Sequence, residues 1–276
     1  MRLVVVGGGH MGSAIVGGLL RSRWISPEEL AVVEPSASAR EDLSARFPGI
    51  TVGGSVPASD AAILAVKPAD AEAACRAVAA AGGPLPGSSG PLGPPRRLLS
   101  IVAGVSIERL EGWLGPGTAV LRCMPNMPAV IGAGASAVAG GASVDKEDYA
   151  WAETILSSLG VVARVPEQLL DAVTGACGSG PAYVFALAEA MISAAVSEGL
   201  DAEVSALLVT HTVLGAARLL TEAGEPPGAL RARIASPQGT TVAGLAVLEE
   251  GGFHCLVERA VAAAAARSRE LGRFGH

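Results

Sequence analysis

The first twelve residues constrain the fold more than any other stretch. Leu3 to Val6 is a short, uniformly apolar run, the pattern of a strand buried on both faces. Gly7, Gly9 and Gly12 follow at once in a G-x-G-x-x-G spacing that encloses His10 and Met11, and Ser13 to Leu20 then reads as a helix. In a chain with 36 glycines the spacing alone is weak, and its place between a first strand and a helix gives it weight. The first glycine permits a tight turn, the second lets a pyrophosphate approach the backbone, and the third lets helix and strand pack closely. The segment predicts a Rossmann-type α/β domain that holds a dinucleotide at Gly7, Gly9, His10, Met11 and Gly12.

The chain that follows alternates strand and helix patterns. Leu30 to Val33 reads as a second strand ending at Glu34, about where the fingerprint expects an acid for the ribose hydroxyls. A carboxylate there favours NADH and repels a 2′-phosphate. Ser36, Ser38 and Arg40 follow and could hold that phosphate, so NADPH or NADH stays open; Arg40 also reads simply as a solvated helix charge. Ala61 to Val66 is another buried strand, with Lys67 and Pro68 at its carboxyl end, the edge where open α/β sheets bind ligands. Pro68 suits the first turn of a helix. Gly82 to Pro95 reads as a flexible surface loop. Leu98 to Val102, Ala119 to Arg122, Ala135 to Ala139 and Val161 to Val165 complete the strands. Ser106 caps one helix, and another spans Asp145 to Leu159. Pro125 and Pro128 flank Asn126, which such a rigid loop could present to a ligand amide or use in an Asx-turn.

The pattern divides the chain into a dinucleotide-binding domain, 1–166, and an all-helical domain, 167–276. Pro181 to Leu200, Ala202 to Glu222 and Phe253 to Leu271 are apolar nearly all round, as in fully buried helices. About a hundred residues forming one small bundle could hardly bury them all, so a second copy is expected and the C-terminal domain is read as an obligate homodimer bundle. A net charge of −6 without a basic tract argues against nucleic acid. Cys75, Cys123, Cys177 and Cys255 are far apart and read as reduced core residues, not a zinc site, which fits the cytoplasm. The N-terminal glycines break any signal-peptide pattern. Gly175, Gly178, Gly180 and Pro181 break the apolar run from Ala172 to Ala188, which is not read as a membrane span.

This plan suggests hydride transfer, with a sparse substrate site. No lysine follows Lys146, and His211 and His254 sit within apolar helical runs, as core or interface residues do. The polar groups near expected loops are Glu167, Ser179, Ser236, Thr240 and Thr241. Ile234 to Glu249 reads as a tight loop, marked by Pro237 and Gly239, that feeds a helix capped by Thr240 or Thr241. Unpaired N–H groups and hydroxyls at such a start suit a carboxylate. A protonated imine needs no strong acid in the hydride step, so the set leans towards imine over ketone reduction.

Taken together, the chain resembles the pyrroline-5-carboxylate reductase family nearly end to end. The resemblance runs through Gly7 to Gly12, Ala65 to Pro68, Ala103 to Val105, Met124 to Asn126, Asp171 to Gly175, Gly178 to Phe185, Thr212 to Ala217, Ile234 to Glu249 and Leu248 to Phe253. It implies NAD(P)H-dependent reduction of 1-pyrroline-5-carboxylate to L-proline, the last step of proline biosynthesis. It also implies that Ser236, Thr240 and Thr241 hold the substrate carboxylate, with the catalytic Thr241 also facing the ring nitrogen. Glu167 matches a position near the substrate. Val66, Lys67, Pro68, Ala103 and Asn126 match positions at the cofactor, which Glu34 and Ser36 also flank. Family members form dimers through interlocked helical domains, and five dimers can form a decamer. The chain departs from the pattern at Gln238, where the Ser-Pro-Gly-Gly-Thr-Thr motif has glycine, at Met127, at Glu34 and in the loop 82–95. The alternatives are a reductase of another cyclic imine or a hydroxy acid, and a non-enzymatic dinucleotide-binding protein.

Overall fold

The computed structural model describes residues 1–82 and 95–274, so the expected loop over 82–95 lies outside them except for its two ends. In chain order the elements are β1 (Leu3–Val6), α1 (His10–Arg21), β2 (Leu30–Val33), α2 (Ala37–Arg46), β3 (Thr51–Gly53), β4 (Ala61–Leu64), α3 (Ala71–Ala81), β5 (Arg97–Ser100), α4 (Ile107–Leu114) and β6 (Ala119–Met124). They continue with β7 (Gly134–Gly140), α5 (Lys146–Ser157), β8 (Gly160–Arg164), α6 (Leu170–Val173), α7 (Gly180–Ser197), α8 (Ala202–Glu222), α9 (Pro227–Ile234), α10 (Thr240–Glu250) and α11 (Phe253–Phe274).

The eight strands form one sheet in the order β3-β2-β1-β4-β5-β6-β7-β8. All neighbours are parallel except β6 and β7, which pair antiparallel. The first six strands thus have the 3-2-1-4-5-6 order of a dinucleotide fold, and successive strands are added outward in opposite directions from the β1–β4 pair, the switch point where such sheets open a crevice. β1 explains why its sequence does not alternate. Leu3 and Val5 pack with Ile15, Leu19 and Ile155 on one face, while Val4 and Val6 pack with Val78, Leu98 and Leu110 on the other. Helix ends follow local chemistry. Ser106 Oγ accepts from Arg109 N, Asp145 and Asp148 form a reciprocal capping box, and α1 closes with Arg23 at φ 55° as Trp24 N and Arg23 N donate to Leu19 O and Leu20 O.

The molecule divides into two compact units, residues 1–179 with 262–276, and residues 180–261. The sequence pattern turns helical at 167, but the short α6 and the π-helical turn Thr174–Gly178 stay with the first unit. So does the end of α11, where Ser268 Oγ donates to Asp171 Oδ1 at 2.5 Å.

The second unit agrees with the expectation that one chain cannot cover its helices. Its helices are not buried within one chain. Phe185 is 62% exposed, Leu207 59% and Val247 69%, and α7 and α10 have no buried residue. Cys255, read as a core residue, is exposed as well. Within one chain α7 and α8 have few neighbours to cover apolar faces that run all the way round. By length and composition alone, Glu167–Ser197 and Ala202–Glu222 are long and apolar enough to cross a membrane.

Candidate functional site

The glycine turn is built as its spacing requires. Gly7 has φ +107°, and a side chain there would collide with the carbonyl oxygen of Ala65 at the end of β4; one at Gly12 would collide with Gly7 O. Only glycine allows β1, its turn and α1 to close this tightly. Gly9, the N-cap of α1, has no atom within 4 Å of where a side chain would begin. Gly7 and Gly9 line a cavity of about 930 Å³ together with Glu34, Val66 and Lys67. An open glycine face beside a helix start, at the switch point of a parallel sheet, fits a dinucleotide pyrophosphate.

His10, Met11 and Gly12 form the first turn of α1 beside this cavity, and Pro68 opens a 3-10 turn after the exposed Lys67, as its fixed φ favours. Glu34 joins the glycine turn to the next loop: Oε2 accepts from Gly8 N and Oε1 from Ser36 N, each at 3.1 Å. Ser36 is the N-cap of α2. The far wall went unnoticed in the sequence. It consists of Ala73, Ala77 and Ala80 on α3, with Gly54 and Val56 after the short β3. The alanine spacing along α3 is the signal that could have revealed it, since small residues one turn apart leave room for a flat ligand. Ala103 lies in the turn after β5, beside Gly104, whose backbone meets Gly272.

Asn126 serves neither an Asx-turn nor an exposed amide. Its Oδ1 accepts from Ala135 N at 2.8 Å, and its Nδ2 donates to Cys177 O at 3.4 Å. It therefore ties the start of β7 to the π-helical turn. Glu167 is engaged too: Oε1 accepts from Ile107 N at 2.8 Å and pairs with Arg122 Nη1 at 3.2 Å. Burial pushes the Cys75 and Cys123 thiols up to about 12 and that of Cys177 upward, so none of the three is a thiolate nucleophile near neutral pH.

The loop before α10 lies in the second unit. Gly239 N donates to Ser236 O at 2.9 Å, closing a turn with Pro237 at its second position and Gln238 at its third. Gln238 has φ 59°, the left-handed conformation that a type II turn requires there and that glycine adopts without strain. The expected cap is corrected: Gly239 is the N-cap, and Thr240 and Thr241 are already helical. Gly239 holds extended dihedrals and its carbonyl accepts the first helical bonds, from Val242 N and Ala243 N. The N–H groups of Thr240 and Thr241 remain as first-turn donors without an intrahelical partner.

Comparison with known proteins agrees with this geometry. Residues 167–271 match the family described as pyrroline-5-carboxylate reductase dimerisation, and residues 2–84 match NADP oxidoreductase coenzyme F420-dependent. The chain is 40% identical to a pyrroline-5-carboxylate reductase of Synechocystis, over 99% of each chain, and 36% identical to one of Pseudomonas aeruginosa, over 98% and 96%. Its fold matches the pyrroline-5-carboxylate reductase of Coxiella burnetii with a TM-score of 0.88 at 31% identity, over 98% of both chains. It matches the NADP-bound enzyme of Plasmodium falciparum with a TM-score of 0.80 at 28% identity, over 99% and 98%. With full-length identity of this order, a dinucleotide crevice and a helical region assigned to oligomerisation, the chain belongs to the pyrroline-5-carboxylate reductase family.

Proposed function

We propose that this chain reduces 1-pyrroline-5-carboxylate to L-proline, and that its second-unit loop grips the substrate. The observation that carries the reading is the Ser236–Gly239 turn at the start of α10, in a chain 40% identical to a reductase of that name over nearly its whole length. Ser236 and the first-turn N–H and hydroxyl groups of Thr240 and Thr241 hold the substrate carboxylate, where helix-start donors and the helix dipole favour an anion. Thr241 also presents its hydroxyl to the ring nitrogen. The reaction adds a hydride to the imine carbon and leaves one proton on nitrogen, converting C=N to C–N; NAD(P)H, when bound, supplies the hydride. The iminium is electrophilic without further protonation, so a neutral hydroxyl suffices to orient it.

Gly7, Gly9, His10, Met11, Gly12, Glu34, Ser36, Val66, Lys67, Pro68, Ala103 and Asn126 form the cofactor side. Of these, Asn126 acts by holding the π-helical turn in place. Arg122 holds Glu167, the acid that the family resemblance implies for the substrate. The functional boundary falls between residues 166 and 167, where the dimerisation match begins.

The apolar helices of the second unit are covered by a second copy rather than a lipid. Support comes from that match and from the wide exposure of Phe185, Leu207 and Val247 in one chain. The homodimer has a cytoplasmic setting, consistent with four unpaired cysteines, and five dimers can associate further.

Following NADH and NADPH oxidation with pyrroline-5-carboxylate, piperideine-2-carboxylate and simple keto acids tests the reading. Turnover with pyrroline-5-carboxylate is expected. Turnover of the others alone would assign a different reductase, and cofactor binding without turnover would assign a non-enzymatic role. Thr241→Ala is expected to lower kcat/KM by roughly 100-fold, with cofactor affinity changed little. Equal losses in both would make Thr241 structural.

A further inference from the structure

We infer that Glu34 makes this chain select NADH over NADPH, although a solved relative holds NADP. The inference rests on the dinucleotide reading of the cavity. Glu34 lies on the cavity wall at the end of β2, where its backbone is fixed by Glu34 N donating to Gly53 O at 2.9 Å. Its carboxylate is held at both oxygens, by Gly8 N and by Ser36 N. A carboxylate so placed accepts from a ribose diol. It repels a 2′-phosphate, which carries close to two negative charges.

The main-chain and hydroxyl groups nearest Glu34, and one nitrogen of the nearby cation, are already engaged. Ser36 N donates to Glu34 itself. Ser36 Oγ accepts from Ala39 N as the α2 cap, at 3.4 Å, and lies 3.1 Å from Ser38 Oγ. Arg40, the nearby cation, points its Nη1 at two main-chain carbonyls, Glu34 O at 2.9 Å and Pro35 O at 2.7 Å. It is half-buried and braces the β2–α2 loop. A 2′-phosphate at Ser36 N would have to displace Glu34 from it, and one at Arg40 Nη1 would have to break two main-chain bonds. The diol of NADH needs neither change.

The test is fluorescence titration of the intact protein with NADH and with NADPH, without substrate. The wild type is expected to bind NADH at least about 10-fold more tightly. Glu34→Ser, which frees Ser36 N, and Glu34→Gln, which keeps the shape and removes the charge, are each expected to shrink that ratio several-fold. Arg40→Ala is expected to weaken both cofactors alike, because it loosens the loop that presents Glu34. Wild-type binding of NADPH as tight as that of NADH overturns the inference, and so does a ratio that neither Glu34 variant moves. A loss confined to NADPH in Arg40→Ala would assign that guanidinium to the phosphate and overturn it too. Failure to bind either dinucleotide would instead overturn the reading of the cavity itself.

Discussion

The two units of this chain satisfy their apolar residues in opposite ways. In the first, β1, β4 and β5 are covered on both faces, and Leu3, Ile63 and Leu99 have no exposed surface. In the second, apolar residues are no scarcer along α7 and α8, yet Phe185, Leu207 and Leu214 are each more than half exposed. The difference teaches that hydrophobic content measures how much surface must be covered, and not by what. The first unit builds its own cover with helices on both faces of the sheet. The second has a core that one chain cannot close, which is why the dimerisation match falls on it.

The largest effect should come from a charge on the open face of the second unit. Leu207→Glu would bury an unpaired carboxylate in the dimer, and we expect roughly a 100-fold weaker association, seen as monomer by light scattering. The matching change in the first unit, Val161→Glu on β8, is expected to leave assembly intact, although Val161 is 71% exposed. If both variants dissociate, or neither does, the contrast between the units fails.

A core truncation sharpens the same comparison. Leu99→Ala removes a fully buried side chain beneath the sheet and should cost about 3 kcal/mol, independent of protein concentration. Leu207→Ala should instead make the Tm depend on concentration, since its cover is a second copy. The smallest effect concerns two left-handed non-glycine residues, Arg23 in the first unit and Gln238 in the second. Replacing either by Gly relieves strain and adds unfolded-state freedom, a net gain of about 0.5–1 kcal/mol in urea unfolding. Only Gln238→Gly is expected to alter KM for the substrate. A KM shift in Arg23→Gly would show that loop strain is not what distinguishes the substrate turn.

Much of the fold was legible because its signals are local. The strands Leu3–Val6 and Leu30–Val33 and the helix Ala202–Glu222 have the bounds their patterns imply, and Ser106 caps where its spacing places it. Period, turn chemistry and capping act within a few residues, so they are written in the order of the chain. Glu34 was legible for the same reason, as the acid that ends a strand a fixed distance after a glycine turn.

Tertiary structure alone decided what depends on residues far apart. Asn126 and Cys177 stand 51 positions apart, and Arg122 and Glu167 stand 45 apart; no pattern in either segment pairs them. The alanine wall of α3 became part of a cavity only when β3 and α3 were placed around the glycine turn. Gly239 took the cap that either threonine could have held, because the Ser236–Gly239 turn sets where helical dihedrals begin. Sequence alone determined that the C-terminal helices must hide their surfaces. Only the packed chain showed which residues of those helices stay open, Phe185, Leu207 and Val247 among them, because coverage depends on which surfaces meet in space.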